Sequence, residues 1–254
     1  METLTSPAVI LRRVDYGDFD YIVTLFTPLF GKVAGIAKNA KKSRKRFGGM
    51  LDTLAVLEAV LSPGRRKGLM LLKEVHLLMP FDRIAGDVRK TAAANYWAEV
   101  VARWMEPQHP QHEIYDLLVY GLEGLNEGRS DPEMLNILFQ ARFLAVNGLM
   151  PDLAACSGCK KALDALPRGR VALDLEQGGW RCPRCRGARP AQLRISKGAI
   201  KQIMWLAWGP LWKVERMRMD AAIRKEAQGV LERFLPYHLG CMPRSLRFLK
   251  QLRT

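Results

Sequence analysis

Over residues 1–80, apolar residues come in short runs separated by turn formers. Tyr21-Ile22-Val23-Thr24-Leu25-Phe26-Thr27 is β-branched and aromatic. Tyr16-Gly17-Asp18 lies before it and Pro28 to Gly31 after it, which reads as a strand bounded by turns. Val9–Val14, Val33–Ala37, Leu54–Leu61 and Leu69–Leu78 repeat the pattern, with a further turn at Pro63-Gly64-Arg65-Arg66-Lys67-Gly68. The run Leu54–Leu61 suits a helix as well as a strand, because a short apolar stretch does not reveal its period. Roughly five strands in this span, without a helical period longer than a turn or two, predict a small closed barrel.

Between Pro80 and Asp87 the period changes. Val88, Ala92, Tyr96, Val100 and Trp104 recur every four residues and Pro107 closes that helix. Ile114, Leu117, Leu118, Leu122 and Leu125 mark a second amphipathic helix. A third begins at Asp131-Pro132-Glu133, an N-cap followed by proline at the first helical position, and stops near Gly148. Two more helices fit Ser196–Trp208 and Asp220–Leu235. The expected division is an α+β chain with a barrel at 1–80 and a helical domain at 81–254. Into that domain a cysteine-bearing segment, 154–190, is inserted between helices.

That segment carries the strongest chemical signal. Cys156-Ser-Gly-Cys159 and Cys182-Pro-Arg-Cys185 are separated by 22 residues. A Cys-x-x-Cys turn aims two sulfurs at one point, and two such turns supply the four thiolates that zinc prefers. The alternative, a pair of disulfides, is disfavoured because the start Met1-Glu2-Thr3-Leu4 lacks the basic and apolar regions of an export signal. One structural zinc is therefore expected, in a cytoplasmic protein. Four protein ligands leave no open position for water, so such a metal holds a fold and does no chemistry. Cys241 stands alone and reads as a small packed side chain.

Charge changes the picture next. The chain carries 40 Lys+Arg against 25 Asp+Glu in 254 residues. Residues 1–82 hold 13 basic and 8 acidic side chains, 83–155 hold 6 and 10, and 156–254 hold 21 and 7. Two basic regions flanking an acidic one point to polyanion contact at both ends, nucleic acid first; the plain alternative is a solvated surface. Lys38, Lys41, Lys42, Arg44, Lys45 and Arg46 put six positive charges into nine residues, in a loop between strands. Such a loop on a small barrel suits the backbone of single strands without reading sequence. A solvated loop or a localisation-signal lookalike has the same composition. Phe47 either stacks on a base or anchors the loop in the core. A second basic field comprises Arg181, Arg184, Arg186 and Arg189, then Arg244, Arg247, Lys250 and Arg253; nucleic acid and an acidic peptide tail suit it equally.

No catalytic pattern stands out. His76, His109, His112 and His238 are scattered, and no phosphate loop or nucleophile elbow is present. A zinc deaminase needs His-x-Glu before Pro-Cys-x-x-Cys, whereas here Glu113 follows His112 directly. Trp205, Trp208 and Trp212 are spaced for a helix core, or for a helix end packed on its neighbour, rather than for a base-stacking platform. No apolar run is long enough to span a membrane.

Short stretches along the chain resemble a known family. They are Arg13-Val14-Asp15-Tyr16-Gly17-Asp18, Thr24-Leu25-Phe26-Thr27, Gly31-Lys32, Ala37-Lys38 and Arg46-Phe47-Gly48-Gly49. Gly148-Leu149-Met150-Pro151-Asp152-Leu153 leads into Cys156, and Tyr237-His238-Leu239-Gly240 precedes Arg244-Ser245-Leu246-Arg247-Phe248-Leu249. In this order, with the cysteine quartet, they resemble the RecO family of bacterial DNA repair proteins, which are recombination mediators. The resemblance implies an N-terminal oligonucleotide-binding (OB) barrel and a helical domain with a zinc-binding segment. It implies binding of single- and double-stranded DNA, strand annealing, and a nucleoid-associated place in the cytoplasm. It also implies partnership with RecR, capture of the C-terminal tail of single-stranded DNA-binding protein, and help in loading recombinase RecA. Some members lack the cysteines, so annealing does not require the zinc. Pro236 departs from the pattern and is expected to interrupt the last helix.

For the tail, the expected need is an apolar pocket with a cation nearby. Arg142, among Leu138, Phe139, Phe143 and Leu144, is the candidate, with an internal salt bridge as its equal alternative; Arg244 and Arg247 come next. A different class of function also remains open: a zinc-stabilised adaptor that binds acidic protein tails or RNA.

Overall fold

The computed structural model describes residues 3–64, 68–166, 169–176, 178–186, 193–214 and 217–253. Five strands come first: β1 (Leu4–Tyr16), β2 (Asp20–Thr27), β3 (Gly31–Ala37), β4 (Val56–Ser62) and β5 (Leu69–Met79). Helices α1 (Asp82–Ala85), α2 (Val88–Trp104), α3 (His112–Glu127) and α4 (Pro132–Val146) follow. The cysteine segment holds β6 (Asp152–Cys156), β7 (Arg170–Asp174), β8 (Gly179–Arg181), the single turn α5 (Pro183–Arg186) and β9 (Leu193–Ser196). Then come α6 (Lys197–Trp208), α7 (Leu211–Val214), α8 (Ala221–Leu239) and α9 (Arg244–Gln251).

The first five strands close into a barrel in the order β1-β2-β3-β5-β4. β3 pairs antiparallel with β2 and parallel with β5, and β1 closes the circuit on β4. Alternation decides which side chains enter. Along β3, Val33 and Ala37 are buried while Ala34 and Ile36 lie outward. Ile10, Val23, Leu25, Leu57, Leu61, Leu72 and Val75 complete the interior with residues of the connecting segment, notably Phe47 and Leu51. The ambiguous run 54–61 is a strand from Val56 onward; Leu54 precedes it in a left-handed turn (φ 77°). Arg65, Arg66 and Lys67 of the expected turn lie outside the described residues.

Element type changes at Pro80, as the period predicts, but packing divides the chain elsewhere. One compact unit comprises residues 1–128 and 243–254, and the other 129–242. In the first, helices join the barrel because their apolar faces meet it. Phe26 of β2 lies 6.4 Å from Tyr115 of α3, ring centre to ring centre. Lys32 of β3 donates from Nζ to the Ala102 carbonyl of α2 at 2.6 Å, and burial lowers its pKa. The Asp87 carboxylate caps α2 by accepting from the Arg89 and Lys90 N–H groups. On α3, Gly121 admits the buried Trp97 ring; a Cβ there would lie 2.7 Å from it.

The helix α9, not foreseen from the periodicity, returns to this unit. Glu99 of α2 accepts from the Arg244 and Ser245 N–H groups at 3.1 and 2.9 Å, and from Ser245 Oγ. A carboxylate thus satisfies two of the orphan donors that open a helix.

The second unit is built on α4, capped by Asp131, whose carboxylate accepts from the Glu133 N–H at 2.8 Å. Ile137, Leu138, Ala141 and Leu144 are all buried, and α6 and α8 pack against this helix. Pro236 does not interrupt α8, which continues through it to Leu239 and ends at Gly240 (φ 67°). Proline removes one intrahelical donor, but burial of Leu231, Phe234 and Leu235 holds the turn together. Strands β6-β8-β7-β9 form a small sheet between α4 and α6. Cys241 is exposed rather than packed, because it lies just beyond the Gly240 cap.

Burial opposes the charge on Glu99, yet its hydrogen bonds to Ser245, Arg244 and Arg103 outweigh that, and its pKa falls below 4.5. A lowered carboxylate pKa contributes stability that is complete above the unfolded value and is lost as pH falls through the folded one. Replacing Glu99 by Gln is expected to cost about 1.5–3 kcal/mol at neutral pH, the range for hydrogen bonds to a charged group. The variant's stability should also fall less between pH 5 and pH 3, as measured by urea unfolding across that range.

Candidate metal centre and nucleic-acid interface

Local backbone geometry brings the four cysteines together. Cys156 ends β6, and the turn through Gly158 carries Cys159. Cys182 follows β8, and α5 carries Cys185. All four Sγ atoms lie within 4.8 Å of one another. The Sγ atoms of Cys159 and Cys182 are 3.8 Å apart. Two ligands of one tetrahedral zinc at about 2.3 Å would be separated by about 3.8 Å. Gly158 is what permits the approach, since a Cβ there would stand 2.8 Å from Cys185 Cβ and 3.0 Å from its Sγ. Trp180, fully buried, donates from its indole N–H to the Leu153 carbonyl at 2.9 Å and ties β8 to β6.

Electrostatics divide the thiols of the cluster. Burial opposes charge on Cys156, but hydrogen bonds from the backbone N–H groups of Cys159, Cys182 and Gly158 outweigh it and lower its pKa to about 6. The neighbouring sulfurs Cys182 and Cys159 push Cys185 up to about 12. Four sulfurs this close repel as anions; a divalent cation removes that repulsion, and the donor set is the one zinc takes in closed structural sites.

The basic loop occupies the first part of the segment joining β3 to β4. Phe47 is 1% exposed and anchors it in the barrel, so the base-stacking alternative for this ring falls. The Arg46 carbonyl accepts from the Val75 N–H of β5. Arg46 itself is structural: its guanidinium donates to the Lys38 carbonyl and to Ser43 Oγ. Lys41 pairs with Asp15 at 3.1 Å and donates to the Gly17 carbonyl. The Lys42 ammonium sits 3.6 Å from the centre of the Phe19 ring. Lys38, Arg44 and Lys45 are exposed and make no ion pair among the described residues. The loop thus presents four cations outward, Lys38, Lys42, Arg44 and Lys45, over a fixed base.

Beside it lies a cavity of about 540 Å³ lined by Tyr16, Ile36, Lys38, Pro63, Leu71 and Lys73. These come from the β1–β2 hairpin, β3, β5 and the β4–β5 turn, where OB barrels receive oligonucleotides. Sequence reading missed Tyr16 and Lys73 here. The outward positions at the end of β1 and on β5 carried the signal, but only barrel closure brings them together.

The second basic field is divided. Arg181, Arg184 and Arg186 stay at the cysteine segment in the unit 129–242, whereas Arg244, Arg247, Lys250 and Arg253 belong to the other unit. Arg189 lies outside the described residues. Arg244 and Arg247 are exposed on α9. Arg142, half-buried on α4, donates to the Gly209 carbonyl at the end of α6. The three tryptophans depart from the expected core: Trp205 is half-buried, while Trp208 and Trp212 are 65% and 64% exposed. Ile203, Leu206 and Ala207 take the inner face of α6 instead.

Comparison with known proteins places this geometry. Residues 1–81 match the family model described as recombination protein O N terminal, and residues 85–247 match recombination protein O C terminal. The chain is 44% identical over 254 residues to the DNA repair protein RecO of Desulfatibacillum aliphaticivorans, covering 100% of this chain and 98% of that one. It is 40% identical over 258 residues to the RecO of Desulfosudis oleivorans, covering 100% and 99%. A RecO of Anaeromyxobacter sp. is 32% identical, covering 99% and 98%.

Gly158→Ala leaves all four thiols in place and obstructs only their approach. It is expected to reduce bound zinc, about one per chain in the unaltered protein, to a substoichiometric level by metal analysis. Its melting temperature should fall toward that of the chelated protein, and chelation should then shift it little further.

Proposed function

The chain belongs to the recombination protein O family of DNA repair proteins, and on that premise we propose that it is a non-catalytic recombination mediator that binds and anneals single-stranded DNA. The observation that carries the reading is the exposed cation group Lys38, Lys42, Arg44 and Lys45 on a loop anchored by Phe47, beside the cavity of Tyr16, Lys38 and Lys73. Phosphates meet the cations and release counterions, so binding is salt-sensitive and indifferent to sequence. Tyr16, 41% exposed, offers an aromatic face to a base entering the cavity. Neutralising two strands at once lowers their mutual repulsion and speeds pairing, a physical task that needs no reacting side chain.

In this reading Cys156, Cys159, Cys182 and Cys185 hold one structural zinc. The metal, when bound, supplies a cross-link among β6, β8 and α5; the chain's own residues supply the DNA contacts. RecR, recombinase RecA and single-stranded DNA-binding protein are the partners proposed from the family. The tail of the last is assigned to the helical elements, with Arg142 first, then Arg244 and Arg247. Among the described residues no helix is long and apolar enough to cross a membrane.

Two measurements test these assignments. Replacing Lys38, Lys42, Arg44 and Lys45 with Ala should weaken binding to all single-stranded sequences alike. It should also lower the log–log salt slope by about 0.7 for each phosphate that is no longer neutralised; an unchanged slope would place the DNA path elsewhere. Arg142→Ala should abolish capture of a tail peptide in a protein that still melts cooperatively. Full peptide affinity there would move the carboxylate site to Arg244 or Arg247.

A further inference from the structure

Trp208 and Trp212 are the most exposed large apolar side chains among the described residues, whereas Trp97 and Trp180 are fully buried. Indole is the largest apolar side chain, and exposed tryptophans are enriched where a chain meets a partner. Lys201, Trp205 and Trp208 fall at i, i+4 and i+7 on α6, hence on one face. The opposite face, Ile200, Ile203 and Leu206, is buried.

The step between the two exposed rings is held firmly. The Gly209 N–H donates to the Trp205 carbonyl at 2.7 Å. A Cβ on Gly209 would stand 2.6 Å from that carbonyl oxygen and 3.1 Å from the Trp205 ring. The Gly209 carbonyl accepts from Arg142 of α4, and Pro210 then opens α7 by accepting from the Lys213 N–H. The Lys213 ammonium stands 5.0 Å from the Trp212 ring centre.

Flat rings on a rigid support, with a cation at one of them, match the chemistry of unpaired nucleic acid, which offers a π-face at each base and an anion at each linkage. Charge favours the same occupant, since residues 129–242 hold 19 Lys+Arg against 10 Asp+Glu. We propose that Trp208, Trp212 and Lys213 form a second single-strand site, on the unit 129–242, where bases stack on the two indoles. The inference deepens the DNA-binding reading: a strand held here and a strand on the Lys38–Arg46 loop occupy separate compact units.

The test is tryptophan fluorescence of the full chain, titrated with an oligo-dT strand and with an abasic strand of equal length and charge. Oligo-dT should quench the wild type, and the abasic strand should quench it far less. Trp208→Ala/Trp212→Ala, both at exposed positions, should melt as the wild type does, lose the quench, and bind oligo-dT about fivefold or more weakly for each ring removed. The variant with Lys38, Lys42, Arg44 and Lys45 replaced should keep the quench. If that variant keeps full strand affinity as well, the loop assignment fails while the indole site stands. Equal quenching by the abasic strand, or quenching by an acidic aromatic peptide but not by oligo-dT, would overturn the proposal; the peptide result would make the face a protein-docking surface.

Discussion

The parallel pairing of β3 with β5 governs most of what the first unit can do. Antiparallel neighbours can be joined by a few residues, but a parallel partner requires a long return. Here that return contains β4 and the segment 38–55 ahead of it. A stretch of chain imposed by closure therefore lies across the barrel, and its apolar residues Phe47 and Leu51 are drawn into the interior. The polar remainder is pushed outward, and that remainder carries the lysines and arginines. Barrel closure and cation display are two results of one topological requirement.

The cysteine cluster solves a different problem. Strands of three to five residues, as in β6 to β9, bury too little to stand alone. Their sheet is joined instead by Trp180 at its centre and by convergence of four sulfurs at its edge. The helices around it rest on apolar burial along α4. A disturbance at Gly158 therefore begins in the segment that carries Arg181 and Arg184.

Legibility in the sequence followed the strength of local periodicity. The run Tyr21–Thr27, β-branched and aromatic between turn formers, and the shorter Val33–Ala37 became strands. The four-residue recurrence from Val88 to Trp104 became α2 to the residue. Paired Cys-x-x-Cys turns announced a cluster because their geometry is local. The strands of the cysteine segment were not readable, being too short to show a period. Residues 244–251 looked like a basic stretch until Glu99 supplied the cap that makes them α9. The tryptophan series at 205, 208 and 212 fits either face of a helix equally well. Only the packing of Ile203 and Leu206 shows which side is buried. Pro236 reads as a break, and tertiary burial overrode it. Lys41 and Arg46 look equivalent to their neighbours in the loop, yet Asp15 and the Lys38 carbonyl already engage them.

The return of α9 to Glu99 makes the unit 129–242 an insertion within the other unit, joined to it by two covalent crossings instead of one. During synthesis the inserted unit has its full sequence before its host does. The barrel unit must wait, with the Glu99 side of α2 uncovered, until residues 243–254 have been added. The inserted helices can therefore fold first and fix the separation of the ends of their own sequence. In doing so they shorten the effective gap that α9 must close to reach α2.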